Sequence, residues 1–190
     1  MARPTGRDIK TEVLDEATAA IAQLGVSRLT YPGLAQRLGV QPTAIHHHFR
    51  RKEDLLFEVV HRYCQSFDQA VSTIEGATAG KRIEAYASIY VDSADKDWVC
   101  LCSAAATEWS TVSEPVRIEV KGFFDFQINW LEAQVRQGAA AGEFRPEIDP
   151  EMTAATIFSA LEGVLLLVRA GRPATLATDV TNNIIGMLSV

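Results

Sequence analysis

Strand-length alternation of apolar and polar residues is missing from these 190 residues, and no segment repeats, which excludes sheets, barrels and solenoids. Cysteine is scarce: Cys64, Cys100 and Cys102 are too few for a disulfide framework and fit a reducing, cytoplasmic setting. No basic stretch followed by an apolar one opens the chain, so no secretory leader is expected. The longest apolar run, 154–170, is interrupted by Glu162 and Arg169 and is expected to be too short and too charged to cross a bilayer, so no membrane partner is expected. Phosphate loops, dinucleotide fingerprints and nucleophile elbows are absent too. What is present is a 47% apolar share, enough for a sizeable core and too much for a disordered chain.

The net charge of −6, taken as a sum, argues against a nucleic-acid partner. Its distribution argues the other way. Residues 1–52, including Arg3, Arg7 and Lys10, hold eight of the 18 basic side chains and four of the 24 acidic ones, or +4. Residues 53–190 hold the rest, or −10. A basic block on an acidic body suggests a polyanion-binding end and a body with another task.

Helical spacing dominates throughout, so the chain is predicted all-α with about nine helices. Val13, Leu14, Ala17, Ala20, Ile21 and Leu24 recur at three- and four-residue intervals before Gly25 stops the run. Two short helices follow, 32–38 and 42–49, each opening on a proline suited to a first turn. A long helix begins at Glu53-Asp54 and runs through Phe67. After the small-residue break 76–80 come helices over 83–91, 99–109, 115–137, 150–169 and 175–188.

The two short helices flank Gly39-Val40-Gln41, where glycine permits the positive φ of a sharp turn. Leu34, Ala35, Leu38, Val40 and Ile45 would form their shared core. An ordinary helical hairpin within a bundle is the plainer reading of this spacing; the sharper one is a helix-turn-helix, whose second helix lies in the DNA major groove. That helix presents Gln41, Thr43, Ala44, His46 and His47. Gln pairs with adenine edges, and Thr and Ala methyls meet thymine methyls. Lys52 and the free backbone N–H groups at the starts of the helices at Pro42 and Lys52 suit phosphates.

The run from Leu29 to Leu55, LTYPGLAQRLGVQPTAIHHHFRRKEDL, resembles the DNA-binding domain of the TetR family of transcriptional regulators. The resemblance covers residues 7–60, and length and helix order agree beyond them. It implies a three-helix head, placed at 1–52, and a helical ligand-binding and dimerisation body, placed at 53–190. It implies a homodimer, most simply a repressor, released from palindromic double-stranded operator DNA by a small-molecule inducer, with no cofactor. Thr30, with Tyr31 beside it, matches a phosphate-contacting position; Gln41, Pro42, Thr43 and Ala44 match base-reading positions. Phe49 matches the aromatic anchor of the third helix, His48 the histidine before it, and Lys52 a phosphate-binding lysine. His46 departs from the usual tyrosine, and Arg51 stands where a small capping residue is usual.

Rival chemistries find less support. His46, His47 and His48 point about 100° apart on a helix and do not converge on a metal. Glu58 and His61 form one Glu-x-x-His pair where a di-iron bundle needs two. A helical-bundle enzyme, the reading from another class, would need converging titratable groups that the sequence does not show. Cys100 and Cys102 diverge by about 200° on one helix, so small core residues are the plain reading and an electrophile- or oxidant-sensing thiol the sharper one.

Phe123, Phe124, Phe126 and Trp130 surround nearly the whole of their helix, so at least one faces something other than the core. With Tyr63, Phe67, Trp98, Cys102, Trp109, Gln127 and Glu162, the members Phe123, Phe126 and Trp130 are the candidate ligand-pocket residues, in keeping with a mostly apolar site with few polar groups. Phe158, Leu161, Leu165, Leu166, Ile184, Ile185 and Leu188 on the last two helices are the candidate dimer face.

Overall fold

A computed structural model describes residues 8–190. Arg3 and Arg7, counted in the basic block, lie outside the described residues. Among these, the chain forms nine α-helices, with one short 3-10 turn at Val26–Arg28 and no strand beyond an isolated bridge between Phe144 and Ser189. The all-α expectation holds.

Helix α1, Ile9–Leu24, starts where the Asp8 carboxylate accepts the Thr11 amide at 3.2 Å. Helix α2, Tyr31–Leu38, is capped by Thr30, whose hydroxyl oxygen accepts the Gly33 amide at 3.2 Å. Gly39 ends it at φ 65°, ψ 35°, a left-handed conformation that favours glycine. Helix α3, Pro42–His48, follows after two residues. Leu34, Ala35 and Ile45 are buried between α1, α2 and α3, and Leu38 and Val40 pack partly buried at the edge.

Helix α4, Lys52–Ser72, joins head to body. Its buried residues Leu55, Leu56, Val59 and Val60 and then Cys64, Phe67 and Val71 form one stripe. Asp15 of α1 accepts a 2.7 Å hydrogen bond from Arg62 of α4. The boundary expected at 52/53 thus falls at the first residue of α4, and a single buried cluster runs across it.

The body comprises α5 (Ala79–Asp95), α6 (Leu101–Thr107), α7 (Glu114–Ala140), α8 (Pro150–Arg169) and α9 (Thr175–Leu188). Helix α5 starts four residues before the predicted Ile83, because Thr78 caps it by accepting the Lys81 amide, and Ala79 and Gly80 are buried rather than forming a loop. At the end of α7, Gly138 lies against Phe144 so closely that a Cβ would stand 2.3 Å from the ring. Helix α8 packs against α5, α7 and α9. It is longer than the apolar run seen in the sequence, and by length and composition alone it would cross a membrane. In place, a third of its most apolar stretch is buried, and Glu162 points inward.

Candidate nucleic-acid interface and ligand cavity

Helix α3 turns one face to the core through Ile45 and the other to solvent. Gln41, Thr43, His46 and His47 are exposed, with Pro42 and Ala44 half-buried among them. Arg28, Thr30 and Arg50 are exposed nearby in sequence, and half-buried Lys52 opens α4. The Thr30 oxygen is used as a cap, which leaves its proton free to donate. Arg51, at the N-cap of α4, makes no cap; its guanidinium donates to Asp54 at 2.6 Å. These groups form a polar, hydrogen-bonding surface at the start of α3, flanked by cations, suited to base edges between phosphates.

Tyr31 corrects the sequence reading. It is buried, and its hydroxyl donates to the Phe49 carbonyl at 2.9 Å, holding the C-terminal end of α3 against α2. Burial, with Asp54 and Glu53 adding to it, pushes the phenol up. Its polar group is committed to the fold and unavailable to DNA.

In the body a cavity of about 620 Å³ opens between the end of α1, α6, α7 and α8. Leu24, Val99, Ala104, Phe124, Phe158 and Leu166 give it apolar walls. Its polar groups are few: Ser103, Thr107, Glu108, Ser159, Glu162 and Arg169. The Glu162 carboxylate accepts from the Ser103 hydroxyl at 2.7 Å and the Tyr90 hydroxyl at 3.4 Å. Burial, and then the charge of nearby Cys100, pushes its pKa well up.

At the rim, the body grips the head. Arg169 donates to the Ala22 carbonyl at 3.0 Å and to the Gln23 carbonyl, at the C-terminal end of α1 where a cation complements the helix dipole. Val99 donates its amide to the same Ala22 carbonyl at 3.2 Å. Glu108 accepts from the amide and hydroxyl of Ser27. Burial pushes Glu108 up, but these bonds outweigh it and hold the carboxyl below its ordinary value. The cavity therefore borders the contacts that fix α1 to the body.

Two family models divide the chain between them. Residues 13–59 match bacterial regulatory proteins of the tetR family, and residues 79–183 match the tetracyclin repressor-like C-terminal domain. The chain belongs to the TetR family. The HTH-type transcriptional repressor DhaR of Mycobacterium sp. (strain GP1) is 20% identical over 167 residues, 86% of this chain and 84% of DhaR. The repressor KstR2 of Mycolicibacterium smegmatis is 25% identical over 151 residues, 75% and 71% of the two chains. In fold the chain is similar to a TetR-family regulator from Agrobacterium tumefaciens, with a TM-score of 0.89, 23% identity and coverage of 95% and 97% of the two chains.

Of the pocket residues expected for a TetR-family body, Glu162 alone lines this cavity. Tyr63, Phe67 and Phe123 instead pack together with Tyr86 and Tyr90 in an aromatic core, because rings on neighbouring helices bury more area against each other than against a void. Trp130 stacks on Tyr86 at 5.3 Å, and Phe126 packs half-buried against the core. Trp98 lies under the Lys96 ammonium and Trp109 under Arg117 and Lys121. Gln127 is fully buried and donates to Asp68 at 3.4 Å. Phe124 is the ring of its helix that turns from the core, meeting Phe158 at 5.7 Å in the cavity wall. Sequence reasoning missed it, along with Arg169. A signal existed for the latter: Glu162 and Arg169 stand two turns apart on one face of α8.

Cys102 is fully buried with its sulfur 3.6 Å from that of Cys64, and burial pushes its thiol well up. Cys100 is buried too, and its sulfur accepts from the Tyr63 hydroxyl at 3.7 Å. Burial pushes the Cys100 thiol up, but hydrogen bonds from Cys102, the Ser103 amide and Tyr63 outweigh it and hold the thiol at about 6. Burial thus favours the core reading of both, while only Cys102 resists ionisation. Among the described residues no three His, Cys, Asp or Glu side chains are placed to hold a metal.

The expected dimer face also needs correction. Phe158, Leu161 and Leu165 of α8 and Leu188 of α9 are buried inside their own subunit, where α8 packs against α7 and α9. Leu166 is exposed at the cavity rim, and Ile184 and Ile185 are half-buried. The large apolar side chains that α8 and α9 leave to solvent are Met152, Leu166, Leu167 and Met187.

Proposed function

We propose that the chain acts as a homodimeric transcriptional repressor that binds a near-palindromic operator through α3 and leaves it when a small molecule fills the cavity between α1, α6, α7 and α8. TetR-family regulators bind operator DNA and dimerise. In this chain Gln41, Pro42, Thr43, Ala44, His46 and His47 read bases, and Thr30 and Lys52 meet phosphates. Residues 1–52 serve as the DNA-binding head and 53–190 as the sensing and dimerising body. The dimer forms through α8 and α9, where Met152, Leu167, Ile184 and Met187 join a partner's equivalent surface about a twofold axis.

The observation that carries this reading is the grip at the cavity rim of Arg169 and Val99 on the end of α1 and of Glu108 on Ser27 in the turn that follows it. A molecule wedged there bears on the helix that supports α2 and α3. Operator-bound and ligand-bound states then differ in head position, and each ligand weakens the other's binding by the same factor. Selection from a random duplex library tests it. The expected product is a near-palindrome whose half-sites lie about 34–36 Å apart, or a multiple of that spacing. An unselected pool after repeated rounds contradicts it.

A further inference from the structure

We propose that the cavity takes a hydrophobic organic cation, its ammonium nitrogen paired with Glu162 and its apolar body against Leu24, Phe124, Phe158 and Leu166. This names the ligand class of the sensing site and so rests on the reading above.

Glu162 is a largely buried carboxyl beside the apolar side chains Phe124, Phe158 and Leu166 of the cavity wall. Its oxygens have hydroxyl donors in Ser103 and Tyr90 but no ion pair with any described Lys, Arg or His. Burial favours the neutral acid while no cation is near, and an ammonium placed beside it supplies the counter-charge that lets the carboxyl ionise. The cavity offers the space in which that cation would sit. Its walls agree: Phe124 and Phe158 meet edge to face at 5.7 Å, and an aromatic face attracts a desolvated cation.

The lining charges discriminate against the alternatives. Two carboxylates, Glu108 and Glu162, face the space against one cation. That cation, Arg169, already donates to the Ala22 and Gln23 carbonyls, so an anionic ligand would have to compete for it. A neutral apolar ligand would fill the same volume but gain no ionic partner from Glu162. Along α8, Glu162 and Arg169 are seven residues apart, about 10 Å. A cation anchored at Glu162 with an extended body therefore reaches the grip on α1.

Calorimetry with phenylbutylamine, phenylbutanol and phenylbutyrate, one skeleton bearing a cation, a neutral group and an anion, tests the assignment. The amine is expected to bind at least about tenfold more tightly than the alcohol, and the acid more weakly than both. Glu162→Gln keeps the side-chain shape and should bring the amine level with the alcohol. Gly163→Leu is the second variant. A Cβ there meets no atom within 4 Å, so leucine enters open space on the cavity wall without a clash, and both probes should lose binding. An amine no tighter than the alcohol, an amine unaffected by Glu162→Gln, or no binding of any probe overturns the proposal. Selected-duplex binding, measured on the same preparation without probe, separates the two readings. Intact duplex binding with an ignored amine sinks the ligand class alone, and lost duplex binding with a Glu162-dependent amine sinks the repressor reading alone.

Discussion

Tyr31 and Glu162 carry opposite lessons about single side chains. Tyr31 sits on the DNA-binding head yet spends its hydroxyl on the Phe49 carbonyl. Tyr31→Phe should therefore lower stability by about 1 kcal/mol, read as a shift in the denaturant midpoint, and leave affinity for DNA nearly unchanged under native conditions. A large affinity loss in a fully folded variant would return Tyr31 to the interface. Glu162 is the reverse, a polar group among apolar side chains whose carboxyl ties α8 to Ser103 of α6 and Tyr90 of α5 and still faces the cavity. Its pKa is raised by burial, so the folded state holds its proton more tightly than the unfolded state. Its contribution is intact below the ordinary carboxyl value of 4.5 and is lost as pH climbs from there toward the raised folded value. Glu162→Gln removes that loss. Thermal melts should show the variant more stable than the parent at neutral pH, with the gap closing near pH 4; a constant gap would contradict burial of an ionisable group there. The thiols yield a check of the same kind. All three cysteines are buried, so a thiol reagent should label the native protein far more slowly than the denatured one.

At the scale of elements, the turn between α2 and α3 was the most legible feature in the chain. Pro32, Gly39 and Pro42 punctuate it, and local backbone chemistry fixes all three roles. Gly39→Ala should cost about 1–2 kcal/mol, because alanine at φ 65° crowds its own Cβ. Chemical denaturation measures it, and an unchanged midpoint would mean the turn is not held left-handed. The helices of the body were legible as periodicity, and their ends less so: Thr78 and the buried pair Ala79-Gly80 look like a linker until α9 and Phe144 cover them. The cavity was the least legible. Aromatic density marked α7 correctly as unusual, but core and cavity rings share one composition, and only the packing of α8 separates Phe123 from Phe124. The grip on α1 joins residues about 146 positions apart, a pairing that no local pattern encodes. Arg169→Ala should loosen it, with faster amide exchange at the end of α1; unchanged protection there would remove the coupling route.

Across the whole molecule, charge and apolar surface divide the labour. The net −6 hides a basic head that attracts phosphates and an acidic body that repels them, which orients the protein on a polyanion. Met152, Leu166, Leu167 and Met187, exposed on α8 and α9, are what a twofold partner would cover under the proposed function. The sequence expectation put a dimer face on α8 and α9, yet Phe158, Leu161, Leu165 and Leu188 are kept by the subunit itself, because both faces of α8 are apolar and hydropathy alone does not say which one is buried. The measurement that bears most directly on the central claim is a salt titration of binding to the selected duplex, for the parent and Lys52→Ala. Affinity is expected to fall steeply and linearly on logarithmic axes, a random duplex to bind far more weakly, and Lys52→Ala to flatten the slope by about 1 per subunit. Equal affinity for selected and random duplexes, or a slope unchanged by Lys52→Ala, would contradict DNA reading by α3 with α4 anchored on phosphate.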